Sequence, residues 1–288
     1  MSLAKPDLSD STAFITGTTR GIGKAIALAL AEQGCSIVST GKTSETDDYG
    51  EQNDLEGTIE QTAREAEALG VEALPIQLDV RDEGNVESAV ESAIDHFGEV
   101  DIVINNASAI QPAKIEDLPP NRFDLLNEVN ARGTYLVCHY VADHLKEIDG
   151  DAWLLTNAPP IETDRAPGSG PYTWSKLGMT FMTLSLAGEL SNFDVGCNAF
   201  WPVTAIDTRA TRYFGMGTED DWRTPAIVAD TVLEILGRDP AEFTGNAVYD
   251  EELLRDAGVT DFSEYNLTEG DPAPMSAQMT DPEFSRPE

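Results

Sequence analysis

The chain has 288 residues, with 52 Asp and Glu against 18 Lys and Arg, a formal charge of −34. That balance excludes a protein held on nucleic acid by phosphate contacts, and no apolar run approaches the roughly 20 residues of a membrane-spanning helix. With 41% hydrophobic residues over this length, the chain can build one large core.

From Thr12 onward, short apolar runs rich in β-branched residues alternate with longer segments of helical period. Strands are predicted at Thr12 to Thr16, Ser36 to Thr40, Ala73 to Gln77, Ile102 to Asn105, Trp153 to Thr156, Gly196 to Trp201 and Ala247 to Tyr249. Helices are predicted at Gly23 to Gln33, Gly57 to Leu69, Glu83 to Phe97, Asn121 to Leu145, Tyr172 to Leu190 and Pro225 to Leu236. This alternation predicts an α/β fold, a Rossmann-type doubly wound parallel sheet of about seven strands in a single domain over residues 1–266. Residues 42–56 read as a polar, acidic loop, 204–224 as an irregular loop serving as a lid, and 267–288 as an acidic, Pro-containing, disordered tail.

The acidic excess, with only 6 lysines, reads as a surface adapted to high salt, where a screening length of about 3 Å near 1 M removes self-repulsion. The opening MSLAKPDLSDSTAFITG has no signal-type apolar stretch, so a cytoplasmic protein is expected. Cys35, Cys138 and Cys197 fall in no disulfide or zinc pattern and read as reduced packing residues. His96, His139 and His144 lack carboxylate or thiol neighbours at ligand spacing, so no metal site is expected.

The first strand runs directly into Thr16-Gly17-Thr18-Thr19-Arg20-Gly21-Ile22-Gly23 and a helix. Gly17 permits a tight turn, Gly21 a close approach of backbone to pyrophosphate, and Gly23 the packing of helix on strand. The helix N-terminus adds free N–H groups for an anion. Gly17, Thr19, Arg20, Gly21, Ile22 and Gly23 are therefore the expected phosphate-binding set of a dinucleotide site. An NAD site carries an acid at the end of the second strand for the ribose hydroxyls. Here Ser39-Thr40-Gly41-Lys42 stands there, and Arg20 and Lys42 can pair with a 2′-phosphate, so NADP(H) is expected over NAD(H).

With these residues in place, the chain resembles the short-chain dehydrogenase/reductase family, whose motifs follow in order from Thr16 to Thr208: the glycine loop, Asp79-Val80, Asn105-Asn106-Ala107, Asn130 and Tyr172-x-x-x-Lys176. The resemblance implies that Asp79, with Val80, lies at the adenine, that Asn105 and Ala107 flank the cofactor, and that Ile206 and Thr208 meet its carboxamide end. The phrases NNASAI, VNARGTYL and WPVTAIDT are most like a hydroxysteroid dehydrogenase-like branch, which commonly carries a C-terminal sterol-carrier domain for which this chain has no room. By the same resemblance the long helices pack between subunits, giving a homodimer or homotetramer, and Asn130 holds a water that passes protons to Lys176.

Tyr172 and Lys176 also stand on chemistry. A phenol of pKa near 10 is a poor acid or base at neutral pH. A lysine four residues on along a helix shares its face and can lower that value. Both residues also bind cofactor in this reading. The pair opens a helix after the fifth strand, at the carboxyl edge where such sheets bind ligands. The family pattern places a serine at the end of that strand, but this chain reads Thr156-Asn157-Ala158-Pro159-Pro160, leaving Asn157 or Thr156 to hydrogen-bond the substrate. The leading expectation is an NADP(H)-dependent oxidoreductase acting on a carbonyl or secondary alcohol of a small-molecule substrate. The alternatives are an NADP(H)-binding sensor or scaffold with weak or no turnover, and an epimerase or dehydratase on the same fold.

Overall fold

The computed structural model describes residues 5–45, 57–161 and 170–272. Seven strands form one sheet: β1 (Thr12–Thr16), β2 (Ser36–Gly41), β3 (Ala73–Gln77), β4 (Ile102–Asn105), β5 (Ala152–Asn157), β6 (Val195–Trp201) and β9 (Ala247–Tyr249). Their order is β3-β2-β1-β4-β5-β6-β9, and every neighbouring pair is parallel. The chain winds outward in one direction from β1 to β3 and in the other from β4 to β9, so the carboxyl ends of β1 and β4 diverge into a crevice.

In β1, β2, β4, β5 and β6 the alternating side chains are buried on both faces, which is why those strands read as continuous apolar runs. Ala13 and Ile15 of β1 pack on one face with Ile26 and Leu30 of helix α1 (Gly21–Ala31) and with Ile227 and Val232 of α8 (Ala226–Leu236). Phe14, between them, packs on the other face with Val86 and Val90 of α3 (Glu83–Phe97), Val137 of α5 (Gly133–Leu145) and Leu186 of α6 (Gly170–Glu189). The three cysteines are free and buried in this core, and none of the described helices is long and apolar enough to cross a membrane.

Local chemistry fixes several ends. Thr58 accepts from the Gln61 amide to start α2 (Ile59–Glu67), Asp82 accepts from the Asn85 amide to start α3, and α3 stops at Gly98, whose φ of +84° suits glycine. The predicted strands and helices lie within about two residues of these bounds, except in three places.

The predicted helix from Asn121 to Leu145 is broken: α4 (Pro120–Asn127) passes through a π-helical turn, Glu128–Arg132, before α5. The turn accommodates Asn130, a fully buried amide bonded to groups outside its own helix. Residues 204–224 are not an irregular loop. They form β7 (Ala205–Ile206), α7 (Arg209–Tyr213), a short 3-10 turn and β8 (Trp222–Arg223), with β7 parallel to β8. Two-residue strands have no period to read, and what orders them is specific: the Arg212 guanidinium on Asp207 at 2.6 Å and the Trp222 indole on the Met216 carbonyl at 2.8 Å.

A further helix, α9 (Asp250–Asp256), follows β9 where none was predicted. It carries Glu251, whose carboxylate meets Arg223 of β8 with both side chains fully buried. Arg223 Nε also donates to Asn266 Oδ1 at 3.1 Å, and its Nη2 lies 3.5 Å from Asp271. Of the predicted tail, Asp271 thus lies beside Arg223, while 273–288 lie outside the described residues, as does 46–56 of the predicted acidic loop.

Candidate functional site

A cavity of about 790 Å³ opens at the carboxyl edge of the sheet, over the divergence of β1 and β4. The glycine loop forms its floor. Gly17 and Gly21 have φ of +77° and +57°, a region that favours glycine. A Cβ on Gly23 would fall 2.2 Å from the Gly17 carbonyl oxygen, so the first turn of α1 packs on the loop at a distance only glycine allows. Arg20 precedes α1 in extended conformation and no side chain caps the helix, leaving its first amides for an anion.

Asn106 braces this loop. Its Nδ2 donates to the carbonyls of Thr16 (3.0 Å) and Gly17 (3.2 Å), and the Asn106 and Ala107 amides donate to Thr16 Oγ1 at 2.9 and 3.0 Å. The sequence reading put Asn105 at the cofactor, but its side chain is buried and points to the Cys138 thiol at 3.8 Å. Two adjacent asparagines on a strand end face opposite ways, and the pattern alone does not say which faces the ligand.

Beyond the loop, Lys42 Nζ lies 3.1 Å from Asp79 Oδ2, and the Arg81 guanidinium grips the same carboxylate at 2.6 Å. These hydrogen bonds, Arg81 first, hold Asp79 far below the usual carboxylate range. Arg20 Nη2 donates to the Gly57 carbonyl at 3.3 Å and reaches Thr43 Oγ1 at 3.5 Å. Arg20, Lys42, Thr43, Asp79 and Val80 all line this end of the cavity.

At the other end stand Tyr172 and Lys176, one turn apart on α6 and both buried. Lys176 Nζ donates to the Asn157 carbonyl at 2.6 Å, lies 3.3 Å from Met179 Sδ, and sits 5.1 Å from the centre of the Trp201 ring. Burial pulls its pKa down to about 7. Burial pushes the Tyr172 phenol well above its ordinary value, and the nearby Ser108 side chain opposes that shift. The expected lowering by Lys176 is therefore not what acts on Tyr172 here. The amine is turned to the backbone of β5.

Asn130 lies behind this pair. Its Oδ1 accepts from the Ala109 amide at 2.7 Å, and its Nδ2 donates to the Ala109 carbonyl at 2.9 Å and to Ser175 Oγ at 2.8 Å. Ser175 in turn donates to the Tyr172 carbonyl at 2.7 Å. Both Nδ2 hydrogens of Asn130 are committed, so its amide clamps the β4 loop to α6, while Oδ1 accepts one bond and keeps a second lone pair.

At the end of β5, Thr156 is fully buried against Thr183 Oγ1 at 2.6 Å, and Ala158 is buried without a hydroxyl. Asn157 lines the cavity, and its Nδ2 donates to Asn106 Oδ1 at 3.1 Å while its Oδ1 is buried without a partner among the described residues. One of the two Nδ2 hydrogens of Asn157 is thus spent on the glycine loop's brace. Thr208 caps α7 through the Thr211 amide, and its methyl would lie 3.4 Å from a Cβ on Gly21, so the segment after β6 meets the loop.

Of the predicted residues, Gly17, Thr19, Arg20, Ile22 and Gly23 line the cavity, as do Ala107, Tyr172, Lys176 and Thr208. Gly21, Asn105, Asn130 and Ile206 support it from outside. Unforeseen wall residues are Asn106, Ser108, Ile110, Trp201, Tyr213 and Phe214. The aromatics of the 204–224 segment were the one signal for the last two. Paired positive-φ glycines, a close helix approach, an uncapped helix end and flanking cations fit the diphosphate and ribose of a nicotinamide dinucleotide.

A family model described as short chain dehydrogenase matches residues 11–216. Hydroxysteroid dehydrogenase-like protein 2 of Xenopus tropicalis is 41% identical over 268 residues, and the match takes in 92% of this chain and 62% of that longer relative. A short chain dehydrogenase from Mycobacterium thermoresistibile superposes with a TM-score of 0.86 at 36% identity, over 97% of this chain and all of its own. A short chain dehydrogenase from Mycobacterium paratuberculosis, solved bound to NAD, shares the fold at a TM-score of 0.71 and 20% identity, over 85% of this chain and 97% of its own.

Proposed function

The chain belongs to the short chain dehydrogenase family, and on that footing we propose that it is an NADP(H)-dependent oxidoreductase interconverting a carbonyl and a secondary alcohol. The observation that carries the reading is the cavity itself, with the glycine loop on its floor and Tyr172 and Lys176 on its wall at the carboxyl edge of the sheet. Arg20 and Lys42 support the choice of NADP(H), because they put two cations beside Gly41, where an NAD site has an acid that repels a 2′-phosphate.

When bound, the dinucleotide supplies hydride donor and acceptor capacity at its nicotinamide ring. Everything else falls to the protein. Gly17, Thr19 and the first amides of α1 take the diphosphate, and Asn106 keeps that loop in shape. Tyr172 Oη exchanges the proton with the substrate oxygen. Burial keeps the phenol protonated at neutral pH, which is the form that donates during carbonyl reduction. Lys176, anchored on the Asn157 carbonyl, holds the nicotinamide ribose. Asn130 is a positioning residue that locks the loop after β4 to α6. Ile110, Trp201, Tyr213 and Phe214 make the remaining wall apolar, suiting a hydrophobic body next to the reacting carbonyl.

Exposed Tyr135 on α5 and Trp174 and Phe181 on α6, 47%, 65% and 65% accessible, support a homodimer or homotetramer through these helices. Three unpaired buried thiols suit a reducing compartment such as the cytoplasm.

The test is a fluorescence titration with NADPH and NADH in molar KCl, followed by a panel of ketones and acyl substrates monitored at the nicotinamide absorbance band. NADPH oxidation that depends on a carbonyl and disappears in Tyr172→Phe is the expected result. Tight binding with no turnover across the panel would make the protein a nucleotide-binding sensor instead. Preference for NADH would overturn the roles given to Arg20 and Lys42.

A further inference from the structure

Acidic residues outnumber basic ones 52 to 18 in this chain, yet the cavity inverts that balance. Arg20, Lys42, Lys176 and Arg209 line it against a single carboxylate, Asp79, which Lys42 and Arg81 already hold. A concave cluster of cations in so acidic a surface concentrates anions on itself. Three of the four have partners in the dinucleotide proposed for this site, Arg20 and Lys42 in the 2′-phosphate and Lys176 in the ribose. Arg209 is left over.

We propose that Arg209, the first residue of α7, binds the diphosphate of the dinucleotide and fastens α7 over it. The inference rests on the dinucleotide reading of the cavity. Arg209 follows Thr208, whose methyl would lie 3.4 Å from a Cβ on Gly21, the first residue of α1. Successive Cα atoms are about 3.8 Å apart, so Arg209 starts beside the uncapped end of α1. A diphosphate diester carries about two negative charges, and a helix N-terminus answers with roughly half a positive one, which leaves a full cation to be supplied. Arg209 is exposed and, among the described residues, has no hydrogen bond, ion pair or ring contact. Arg212, three residues on, is by contrast spent on Asp207 at 2.6 Å and Glu219 at 3.4 Å. Apart from exposed Lys114, which does not line the cavity, every other described Lys and Arg holds a hydrogen bond or ion pair.

The same short helix carries the open part of the substrate wall. Ala210, Tyr213 and Phe214 line the cavity with Arg209, and Tyr213 and Phe214 are 77% and 37% accessible. A guanidinium fork drawn onto phosphate oxygens brings Tyr213, about one turn along, with it. Filling the cofactor site thereby sets the wall against which the substrate packs.

The test compares Arg209→Gln and Arg209→Lys with the intact chain, and with Lys114→Gln, which removes an equal charge away from the cavity. Calorimetry at constant KCl measures two probes: 2′-phospho-ADP-ribose, which has the diphosphate and no nicotinamide, and adenosine 2′-monophosphate, which has no diphosphate. Arg209→Gln should bind the first about tenfold or more weakly and the second within about threefold of the intact chain. Arg209→Lys, which keeps the charge without the fork, falls between them, and Lys114→Gln matches the intact chain for both probes. Hydrogen exchange over 209–214 slows when 2′-phospho-ADP-ribose is added to the intact chain and does not slow in Arg209→Gln. Equal affinity of Arg209→Gln and the intact chain for 2′-phospho-ADP-ribose overturns the proposal. So does an equal loss for adenosine 2′-monophosphate, which would put Arg209 at the 2′-phosphate. If the intact chain binds neither probe, the dinucleotide reading itself fails, a result separate from any difference between variants.

Discussion

Replacing Gly23 with alanine tests the cofactor site most directly, because the structure prices the change atom by atom. The added Cβ would sit 2.2 Å from the Gly17 carbonyl oxygen and 2.4 Å from Asn106 Nδ2. An ordinary carbon contact needs roughly 3.4 Å or more, so helix and loop must part by about 1 Å. Asn106 then loses its bonds to Thr16 and Gly17. Each is worth about 0.5 to 1.5 kcal/mol net, and forcing a methyl into a packed site adds about 1 to 3 kcal/mol. A total near 3 kcal/mol, falling on the loop in its binding conformation, weakens NADPH binding by about a hundredfold. The assay is a fluorescence titration of Gly23→Ala beside Gly188→Ala. The latter is a helical glycine of α6 with open space where its Cβ would go, and it should bind normally and gain up to about 1 kcal/mol of stability. If Gly23→Ala bound NADPH within about threefold of the parent, the close approach of α1 would not be what shapes the site.

Two further outcomes follow from buried charge. Glu251→Ala leaves the fully buried Arg223 guanidinium without its closest carboxylate and should cost about 3 to 5 kcal/mol in urea unfolding, whereas a loss below about 1 kcal/mol would mean that Asn266 and Asp271 already suffice. Burial raises Asp250 to about 7, above its unfolded value, so the folded state keeps a proton that the unfolded chain gives up. The stability tied to Asp250 is present below about pH 4 and is lost as pH rises through 7. Asp250→Asn, which keeps an oxygen for the Val203 amide, should flatten that loss when unfolding is compared at pH 5 and pH 8 in constant salt, and an unchanged slope would exclude Asp250 as its source.

What the sequence made legible was local. The glycine loop is contiguous, Tyr172 and Lys176 are one helical turn apart, and apolar runs buried on both faces announce a parallel sheet, so each could be read without knowing what lay across the fold. What escaped depended on distant partners. Asn105 and Asn106 are indistinguishable until β1 shows which one braces its carbonyls. The role of Asn130 is set by Ala109 and Ser175, 21 and 45 residues away. The 204–224 segment is ordered by ion pairs and an indole bond that leave no periodic trace. Ser108 sat beside a recognised motif, but only the fold puts it in one cavity with Tyr172 of α6.

The π-helical turn at Glu128–Arg132 separates what is easy for the backbone from what is useful to the site. Dropping one residue there would let 120–145 run as a single regular helix, the simpler conformation for the chain. The same deletion would turn the preceding segment by about 100° about the axis, swinging Asn130 away from Ala109 and Ser175 and crowding a stretch where Gly178 already leaves only 2.7 Å between its would-be Cβ and that of Ala131. A lesion that ordinarily ruins a helix would here repair one, at the expense of the clamp. In this molecule the ability to fold and the ability to act can part company at a single codon.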